Sequence, residues 1–290
     1  DLVISSESGP IKGVQIPKSA KHICYIHSPM RYCWGFTDDY LETINPFLRP
    51  LAKYFFKQLQ RWDATTVANV DLFIANSKNV ANRVKKYYHR DARVSHPPIG
   101  RRFFEEDLVE TSQQADYFIS FGAITPYKRI DLLVDCFNKN EKRLLIIGEG
   151  SEKSRLQKLA NDNIEFIENT NPQKVIDSIQ HAKALLFPGE EDFGMIPLEV
   201  MALGKPVIAF GKGGAFETVV ENRNRIGESS GLFFKEQTVP SLQEAIDIFL
   251  EIEDQFDANW IRNHAYNFEE TKFFNSFKAL INDSIEAYYF

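Results

Sequence analysis

The stretch GEEDFGMIPLEVMALGKPVIAFGKGGAFETV (residues 189–219) decides the fold class. It starts at the carboxyl end of the apolar run ALLFPG (184–189), crosses an acidic loop and continues into a helix from about Pro197. The next apolar run, PVIAFG (206–211), ends in a glycine-rich turn. An apolar strand, a loop, a helix and another apolar strand form the repeating unit of a parallel sheet covered by helices.

Apolar runs of this kind alternate with amphipathic stretches through the second part of the chain, at 116–124, 143–150, 164–169, 184–189, 206–211 and 231–234. This pattern predicts a complete doubly wound α/β domain. The first part of the chain has fewer runs, at 1–6, 22–27, 71–77 and 93–99, around a long helix near 50–69. We therefore expect a second α/β domain that lacks its first part.

The expected domains are 1–103 on the N-terminal side and 104–268 on the C-terminal side, followed by a closing helix in 269–290. The polar, Pro-initiated stretch 97–115 reads as the linker, and the tail from Ser241 reads as three helices.

Composition narrows the function classes. The 290 residues carry 34 Lys and Arg against 40 Asp and Glu, a formal charge of −6, which disfavours a general nucleic-acid binder. The three cysteines (Cys24, Cys33 and Cys136) lack metal-ligand spacing, so we expect free thiols in a reducing compartment, the cytoplasm. No apolar run reaches the roughly 18–20 residues of a membrane span.

Three strand-to-helix turns carry candidate chemistry. In the acidic loop Gly194 allows close backbone approach, and Glu191 and Glu199 can face one crevice, where a carboxylate can hold vicinal hydroxyls. Lys128 and Arg129 open a helix, where an anionic partner would offset their conflict with the helix dipole. With the turn GKGGAFETV (211–219), they predict a nucleotide or sugar-nucleotide site. Taken singly, each turn also fits a purely structural connection, with the cations in solvent or paired with acids.

Taken together, these motifs resemble the family-4 retaining glycosyltransferases of the GT-B fold, and most closely the mannosyltransferases of bacterial O-antigen and related polysaccharides. The resemblance is carried by the E-x7-E pair Glu191 and Glu199, PYKRID (126–131), GEG (148–150), GGAFETV (213–219), NS (76–77) and CYIHSPMRYCW (24–34).

The resemblance implies a role for each matching position. Lys128 would bind the diphosphate, Glu191 would lie by the donor sugar and Glu199 would bind the ribose. His27 would reach the donor sugar from the N-terminal domain, which makes His27, Lys128 and Glu191 the catalytic candidates. The family usually has an arginine at the position of Ala123; either Arg129 would replace it, or the leaving group would be held more weakly. The remaining donor-binding candidates are Phe193, Gly194, Met195, Ile196, Gly148 and Gly150.

The implied reaction transfers a hexose, mannose from GDP-mannose by subgroup expectation, to a lipid-linked or oligosaccharide acceptor. No metal site and no cofactor are expected, because the histidines are scattered and no D-x-D follows a strand. The family reads the nucleobase at 167–174, and its closing helix crosses back to the N-terminal domain; packing on its own domain is the alternative. Two other functions stay open: a nucleotide-sugar-binding module without catalysis, and a GT-B-fold epimerase.

A membrane-facing patch is a further hypothesis. In PFLRPLAKYFFKQLQRW (46–62), Lys53, Lys57 and Arg61 repeat every four residues beside aromatic side chains, and residues 78–102 are strongly basic. Such a surface suits anionic lipid headgroups and predicts peripheral contact with the inner membrane surface. An ordinary solvated basic face explains the same pattern.

Overall fold

The structure is a computed structural model that describes residues 1–109, 115–168 and 171–289. The chain divides into two compact units, which we call the N-terminal unit (Asp1–Pro97 with Thr271–Phe290) and the C-terminal unit (Pro98–Glu270). The boundaries expected from the sequence fall after residues 103 and 268.

The strands of the described chain overlap the apolar runs, although β4 shares only residues 93 and 94 with the run 93–99. In order they are β1 Leu2–Glu7, β2 Lys21–Ile26, β3 Leu72–Ala75, β4 Ala92–Val94, β5 Phe118–Phe121, β6 Leu144–Ile147, β7 Ile164–Ile167, β8 Leu185–Phe187, β9 Val207–Phe210 and β10 Gly231–Phe234. The α-helices are α1 Thr37–Glu42, α2 Arg49–Thr66, α3 Lys78–Tyr88, α4 Arg102–Glu105, α5 Ile130–Asn140, α6 Lys153–Gln157, α7 Pro172–His181, α8 Met195–Ala202, α9 Ala215–Thr218, α10 Val239–Ile252, α11 Ala258–Ala265 and α12 Glu270–Tyr289.

Each unit has its own parallel sheet. The N-terminal sheet has the order β1-β2-β3-β4, and the C-terminal sheet has the order β10-β9-β8-β5-β6-β7. In the C-terminal sheet the chain winds outward from β5 to β7, returns to β8 beside β5, and winds outward again to β10. This strand order confirms the predicted doubly wound α/β architecture. The prediction was possible because parallel strands buried on both faces consist of continuous apolar residues.

Helix α12 packs on the N-terminal sheet. Phe273 and Phe277 lie against Tyr25, with a ring-centroid distance of 5.4 Å between Tyr25 and Phe277, and the same apolar cluster contains Ile23 and Ile74. The aromatic side of this helix therefore covers one face of the N-terminal sheet.

A cluster of buried charges lies inside the N-terminal unit. The Lys12 ammonium is hydrogen-bonded to Asp63 and lies 3.5 Å from a carboxylate oxygen of Glu7, and the Lys12 and Asp63 side chains are fully buried. Asp63 also accepts hydrogen bonds from Trp34 Nε1 and Tyr88 Oη, both at 2.7 Å. Burial raises the pKa of Glu7, and the Lys12 charge lowers it in part. One cation thus serves two acids in a dry site.

The expected linker, 97–115, is in part a piece of the C-terminal core. Ile99 and Phe103 are 0% and 4% exposed and belong to its main apolar cluster. The Ile99 N–H donates to the Phe268 carbonyl at 2.8 Å, while residues 110–114 lie outside the described residues. The prediction of a polar linker is wrong for this part because burying two large apolar side chains outweighs the polar surroundings.

Lys205, two residues before β9, is 3% exposed, and among the described residues its Nζ has no hydrogen-bond partner. Burial lowers its pKa from 10.5 to about 8. We expect Lys205→Met to stabilise the protein by about 1–3 kcal/mol at pH 7, because the substitution removes a buried unpaired charge. Urea unfolding of both proteins measures the difference.

This gain should shrink as the pH rises. Between pH 8 and pH 10.5 the unfolded chain binds more protons at this lysine than the folded chain, so the wild-type protein gains stability with pH. Lys139→Met, at an exposed position on α5, serves as the control and should change little. A difference that is zero at pH 7 or constant from pH 7 to 10 would contradict the assignment.

Candidate active site

The loops that follow β5 and β8 meet at the carboxyl edge of the C-terminal sheet. These two strands are neighbours, and the winding direction of the chain reverses between them. In an open parallel sheet a crevice forms at the carboxyl ends of such a pair, and ligands bind there. The fold therefore indicates a ligand site at this edge.

Two of the predicted site residues meet at this edge. The Lys128 ammonium, after β5, is hydrogen-bonded to the Glu191 carboxylate, after β8, although 63 positions separate them in the chain. The two side chains are 14% and 18% exposed. Lys128 Nζ also lies 5.4 Å from the ring centroid of Tyr127 and 6.0 Å from that of Phe187. A cation is thus held, largely shielded, at the switch point of the sheet.

Arg129 is engaged by protein groups. It follows the turn Pro126–Lys128 with a left-handed φ of 56°, and its Nε donates to Asp131 at 3.2 Å. Its Nη1 donates to Gln237 at 3.3 Å, while Gln237 donates to the Pro188 carbonyl at 2.8 Å. Gln237 joins the loops after β5, β8 and β10, and no motif in the sequence marks it. Arg129 pairs with an acid in its own turn, the arrangement named as the alternative to an anion-binding role.

Glycines on both sides of the acidic loop allow its backbone to contact neighbouring segments closely. A Cβ added at Gly189 would lie 3.0 Å from the Cα of Lys128. The Gly214 N–H donates to the Glu191 carbonyl at 2.8 Å, and a Cβ on Gly214 would collide with the backbone of Phe193. A side chain at position 189 would press on the Lys128 backbone, and at position 214 glycine alone fits. The backbone around Glu191 is therefore fixed by the turn before it and the start of α9 behind it.

Gly148 and Gly150, predicted for donor binding, have a packing role. A Cβ on Gly148 would collide with the carbonyl of Gly122, and one on Gly150 with the carbonyl of Ile124. The Ile124 N–H donates to the Glu149 carbonyl at 2.8 Å. These glycines bring the loop after β6 against the loop that leads to Lys128, and their contact with a donor stays a prediction.

Helix α8 begins at the carboxyl end of β8. Gly194 precedes it with a left-handed φ of 86°, which glycine adopts without strain. The side chain of Phe193 is 3% exposed, and those of Met195 and Ile196 pack against the same apolar cluster. The buried ring of Phe193 leaves its backbone as the part that can meet a ligand, and the first N–H groups of a helix lack intrahelical acceptors.

Glu199 lies one turn further along α8. Burial raises the pKa of its carboxyl group, and the positive charge of Arg102 on α4 opposes that rise. Arg102 was not among the predicted site residues. A partly desolvated carboxyl group of this kind can accept hydrogen bonds from neutral hydroxyls.

A cavity of about 360 Å³ opens at the carboxyl ends of β6 and β7. The segment expected to read the nucleobase, 167–174, forms part of its wall, although Asn169 and Thr170 lie outside the described residues. The lining residues are Ile147, Ile167, Glu168, Asn171, Lys174, Val175, Asp177 and Ser178. Apolar strand ends on one side and polar helix residues on the other suit a flat heterocycle with polar edges.

His27 lies in the N-terminal unit, directly after β2. Its N–H donates to the Glu7 carbonyl at 2.7 Å, its Nε2 is 2.9 Å from Ser6 Oγ, and its ring meets Tyr25 edge-on at 5.0 Å. Burial lowers the pKa of His27, so the imidazole is neutral at pH 7.

Three general features complete the description. Within residues 1–109, 115–168 and 171–289, no group of three or more His, Cys, Asp or Glu side chains is placed to hold a metal ion. In the same part of the chain no helix has the length and apolar character needed to cross a membrane. Cys24, Cys33 and Cys136 are buried free thiols.

Residues 104–266 match the family model described as glycosyl transferases group 1. An uncharacterized glycosyltransferase of Methanocaldococcus jannaschii is 27% identical, over 67% of this chain and 52% of that protein. The alpha-1,3/1,6-mannosyltransferase alg2 of Schizosaccharomyces pombe is 29% identical, over 67% and 46%. The O-antigen chain mannosyltransferase RfbU of Salmonella typhimurium is 25% identical, over 58% and 50%. The chain thus spans about half the length of these curated relatives.

Solved structures share the fold. Sucrose-phosphate synthase of Thermosynechococcus elongatus superposes with a TM-score of 0.72 at 16% identity, covering 99% of this chain and 74% of that one. Anabaena HepE, solved with UDP, gives a TM-score of 0.65 at 13% identity, covering 97% and 99%. This likeness confirms the predicted fold class, α/β with two Rossmann-like domains of the GT-B type.

Proposed function

The chain belongs to the glycosyl transferases of group 1, and we propose that it transfers a hexose from a nucleoside diphosphate sugar to an acceptor hydroxyl, with retention at the anomeric carbon. The observation that carries this proposal is the Lys128–Glu191 pair at the switch point between β5 and β8. A shielded cation beside the start of α8 is what a departing diphosphate requires.

Lys128 supports leaving-group departure in this proposal. Its ammonium has three N–H donors, and Glu191 accepts one of them, so donors remain for phosphate oxygens. The N–H groups at the start of α8 add a second source of positive potential. Both are held by the glycine contacts described above, so negative charge developing on the diphosphate meets groups that are already in position.

Other residues would hold the rest of the donor. Glu199 would accept hydrogen bonds from the ribose hydroxyls, and the cavity at β6 and β7 would receive the base. Glu191 would lie by the transferred sugar while it orients Lys128. In the N-terminal unit, the neutral imidazole of His27, held by Ser6, is our candidate for a contact to that sugar.

The finer assignment is mannose from GDP-mannose, passed to a lipid-linked or oligosaccharide acceptor in bacterial surface polysaccharide synthesis. It draws support from mannosyltransferases among the relatives, including the O-antigen enzyme RfbU. We place the protein in the cytoplasm, in peripheral contact with the inner membrane surface.

A thermal-shift panel of GDP-mannose, UDP-glucose, UDP-GlcNAc, GDP and UDP tests the donor. A ligand that binds only the folded state raises its melting point, by about 5–10 °C at about 100 times Kd. We expect the largest rise with GDP-mannose. Glu199→Gln should lose most of the rise with nucleotides because a neutral amide accepts ribose hydroxyls less well, whereas Glu251→Gln, at an exposed position on α10, should behave as wild type.

No rise with any of these ligands would contradict nucleotide-sugar binding. A larger rise with a UDP-sugar would overturn the choice of donor and keep the site. Product analysis with the bound donor then separates the activities: transfer to an added acceptor supports the proposal, while an isomerised donor without acceptor identifies an epimerase.

A further inference from the structure

The outer face of α2 in the N-terminal unit carries exposed apolar side chains. Leu48, Leu51, Phe55, Leu59 and Trp62, which we call the apolar row, are between 38% and 55% exposed. Their spacing of three or four positions puts them on one face of the helix. Just before the row, Phe47 is 93% exposed. Proteins rarely leave a contiguous apolar strip of this kind in water unless it has a partner.

A row of cations lies on the opposite flank of the exposed side of α2, rotated by roughly 160° from the apolar row at about 100° per residue. Lys53, Lys57 and Arg61, the basic row, are exposed and recur every four positions, so they lie along one line of α2. The one acid in α2, Asp63, is buried and bound by Lys12. The solvent side of this helix thus combines Leu, Phe and Trp with positive charge and carries no carboxylate of its own.

We propose that α2 docks on an anionic lipid surface, with the apolar row entering the headgroup layer and the basic row binding lipid phosphates. An amphipathic helix with aromatic and Leu side chains beside Lys and Arg lies in the plane of such an interface. A second copy of the chain would bring one basic row near another across a two-fold axis, which favours lipid as the partner. Asp38, Asp39 and Glu42 on α1 offset part of the positive charge, so the apolar row must supply part of the affinity.

The strongly basic stretch 78–102 contributes less than its sequence suggests. Arg83 donates to the Trp34 carbonyl at 2.9 Å, Lys85 pairs with Asp91 at 2.6 Å, and Arg90 donates to the Val70 carbonyl at 3.0 Å. Arg83 and Arg90 are thus engaged by backbone carbonyls, and the charge of Lys85 is offset by an exposed acid, so α2 carries the stronger case for lipid binding.

The inner side of α2 connects the docking face to the loop that follows β2 and His27. Gln60 Nε2 donates to the Cys33 carbonyl at 2.8 Å, and Cys33 Sγ lies 3.6 Å from the Phe56 carbonyl oxygen. A docked α2 would therefore hold that loop near the lipid surface. This step rests on the proposed function, because it explains how a lipid-linked acceptor would reach the enzyme.

Co-sedimentation with vesicles tests the inference on the 290-residue chain. We expect binding to phosphatidylcholine vesicles that contain about 30% phosphatidylglycerol, little binding to pure phosphatidylcholine, and weakening by added salt. The triple variant K53E/K57E/R61E should lose at least about 100-fold in partitioning, at about 1 kcal/mol per basic residue. Phe55→Ser should lose about tenfold because it removes an exposed aromatic ring that the lipid surface would cover.

Matched controls lie in the C-terminal unit. The variant K139E/K158E/K235E makes the same charge change at exposed positions, and Leu159→Ser removes a side chain that is 51% exposed; both should bind like wild type. Vesicle binding that is unchanged by added salt, or unchanged in the α2 variants, would overturn the proposal. So would concentration-dependent self-association that Phe55→Ser abolishes, because the partner would then be a second copy. The assay needs no donor, so its failure leaves the thermal-shift result standing.

Discussion

Lys128→Ala is expected to lower the rate of sugar transfer by about 10²–10³-fold, or about 3–4 kcal/mol of transition-state stabilisation. Lys128 is the cation held at the switch point of the C-terminal sheet, where it would meet the charge that develops on the diphosphate. Single-turnover transfer from GDP-mannose measures the chemical step. Calorimetry should show weaker binding of nucleoside diphosphates with little change for the nucleoside alone.

The control for this substitution is Lys139→Ala, on the exposed side of α5, the helix that follows the Lys128 turn. It should leave transfer unchanged. Circular dichroism should show that both variants fold. Near-wild-type turnover in Lys128→Ala would remove this residue from the mechanism, and an equal loss of affinity for nucleoside and diphosphate would show that the substitution disturbs the site as a whole.

Lys12→Met should destabilise the N-terminal unit by about 3–5 kcal/mol, the largest stability effect expected from one substitution. The change leaves Asp63 and Glu7 buried without a cation. Urea unfolding is followed by tryptophan fluorescence in a W62F/W260F background, in which the signal comes from Trp34, whose indole donates to Asp63. The loss should become smaller at low pH, where the Glu7 carboxyl group, whose pKa is raised by burial, takes up a proton.

The matched comparison is Asp63→Asn, which keeps one acid for one cation and should cost less than Lys12→Met. Lys18→Met, at an exposed position nearby in the chain, should change stability by less than about 0.5 kcal/mol. Equal losses in Lys12→Met and Asp63→Asn would contradict the view that one lysine balances two acids.

Much of the fold could be predicted because parallel strands that are buried on both faces appear in the sequence as short continuous runs of apolar residues. Apolar runs such as 143–150 and 206–211 contain β6 and β9, and the GEEDFG loop precedes α8. The burial of Phe103 was missed because apolar residues isolated in a polar stretch have no periodicity, and Ile99 was placed at the end of the apolar run 93–99 instead of in the C-terminal core. Lys12 and Asp63 lie 51 positions apart, and only the tertiary fold brings them together.

The residues of the candidate site likewise include some that the sequence marks and others that it does not. Lys128, Glu191 and Glu199 stand at strand-to-helix turns, where chemistry and position can both be read from the chain. Gln237 and Arg102 follow no motif, since their importance comes from neighbours on other loops. In α2 the sequence shows aromatic and basic residues at helical spacing but does not show which of them face solvent.

Because the chain returns from β7 to β8 beside β5, the pocket between the loops after β5 and β8 can form only late in folding. Lys128 and Glu191 are 63 positions apart and meet only after β8 has joined β5. During synthesis the growing chain therefore contains the Lys128 turn before the Glu191 loop has been made. Pairing between strands that are far apart in the chain, such as β5 and β8, forms slowly. Nucleotide ligands can bind only after the sheet is complete. They should therefore slow its unfolding without accelerating its folding.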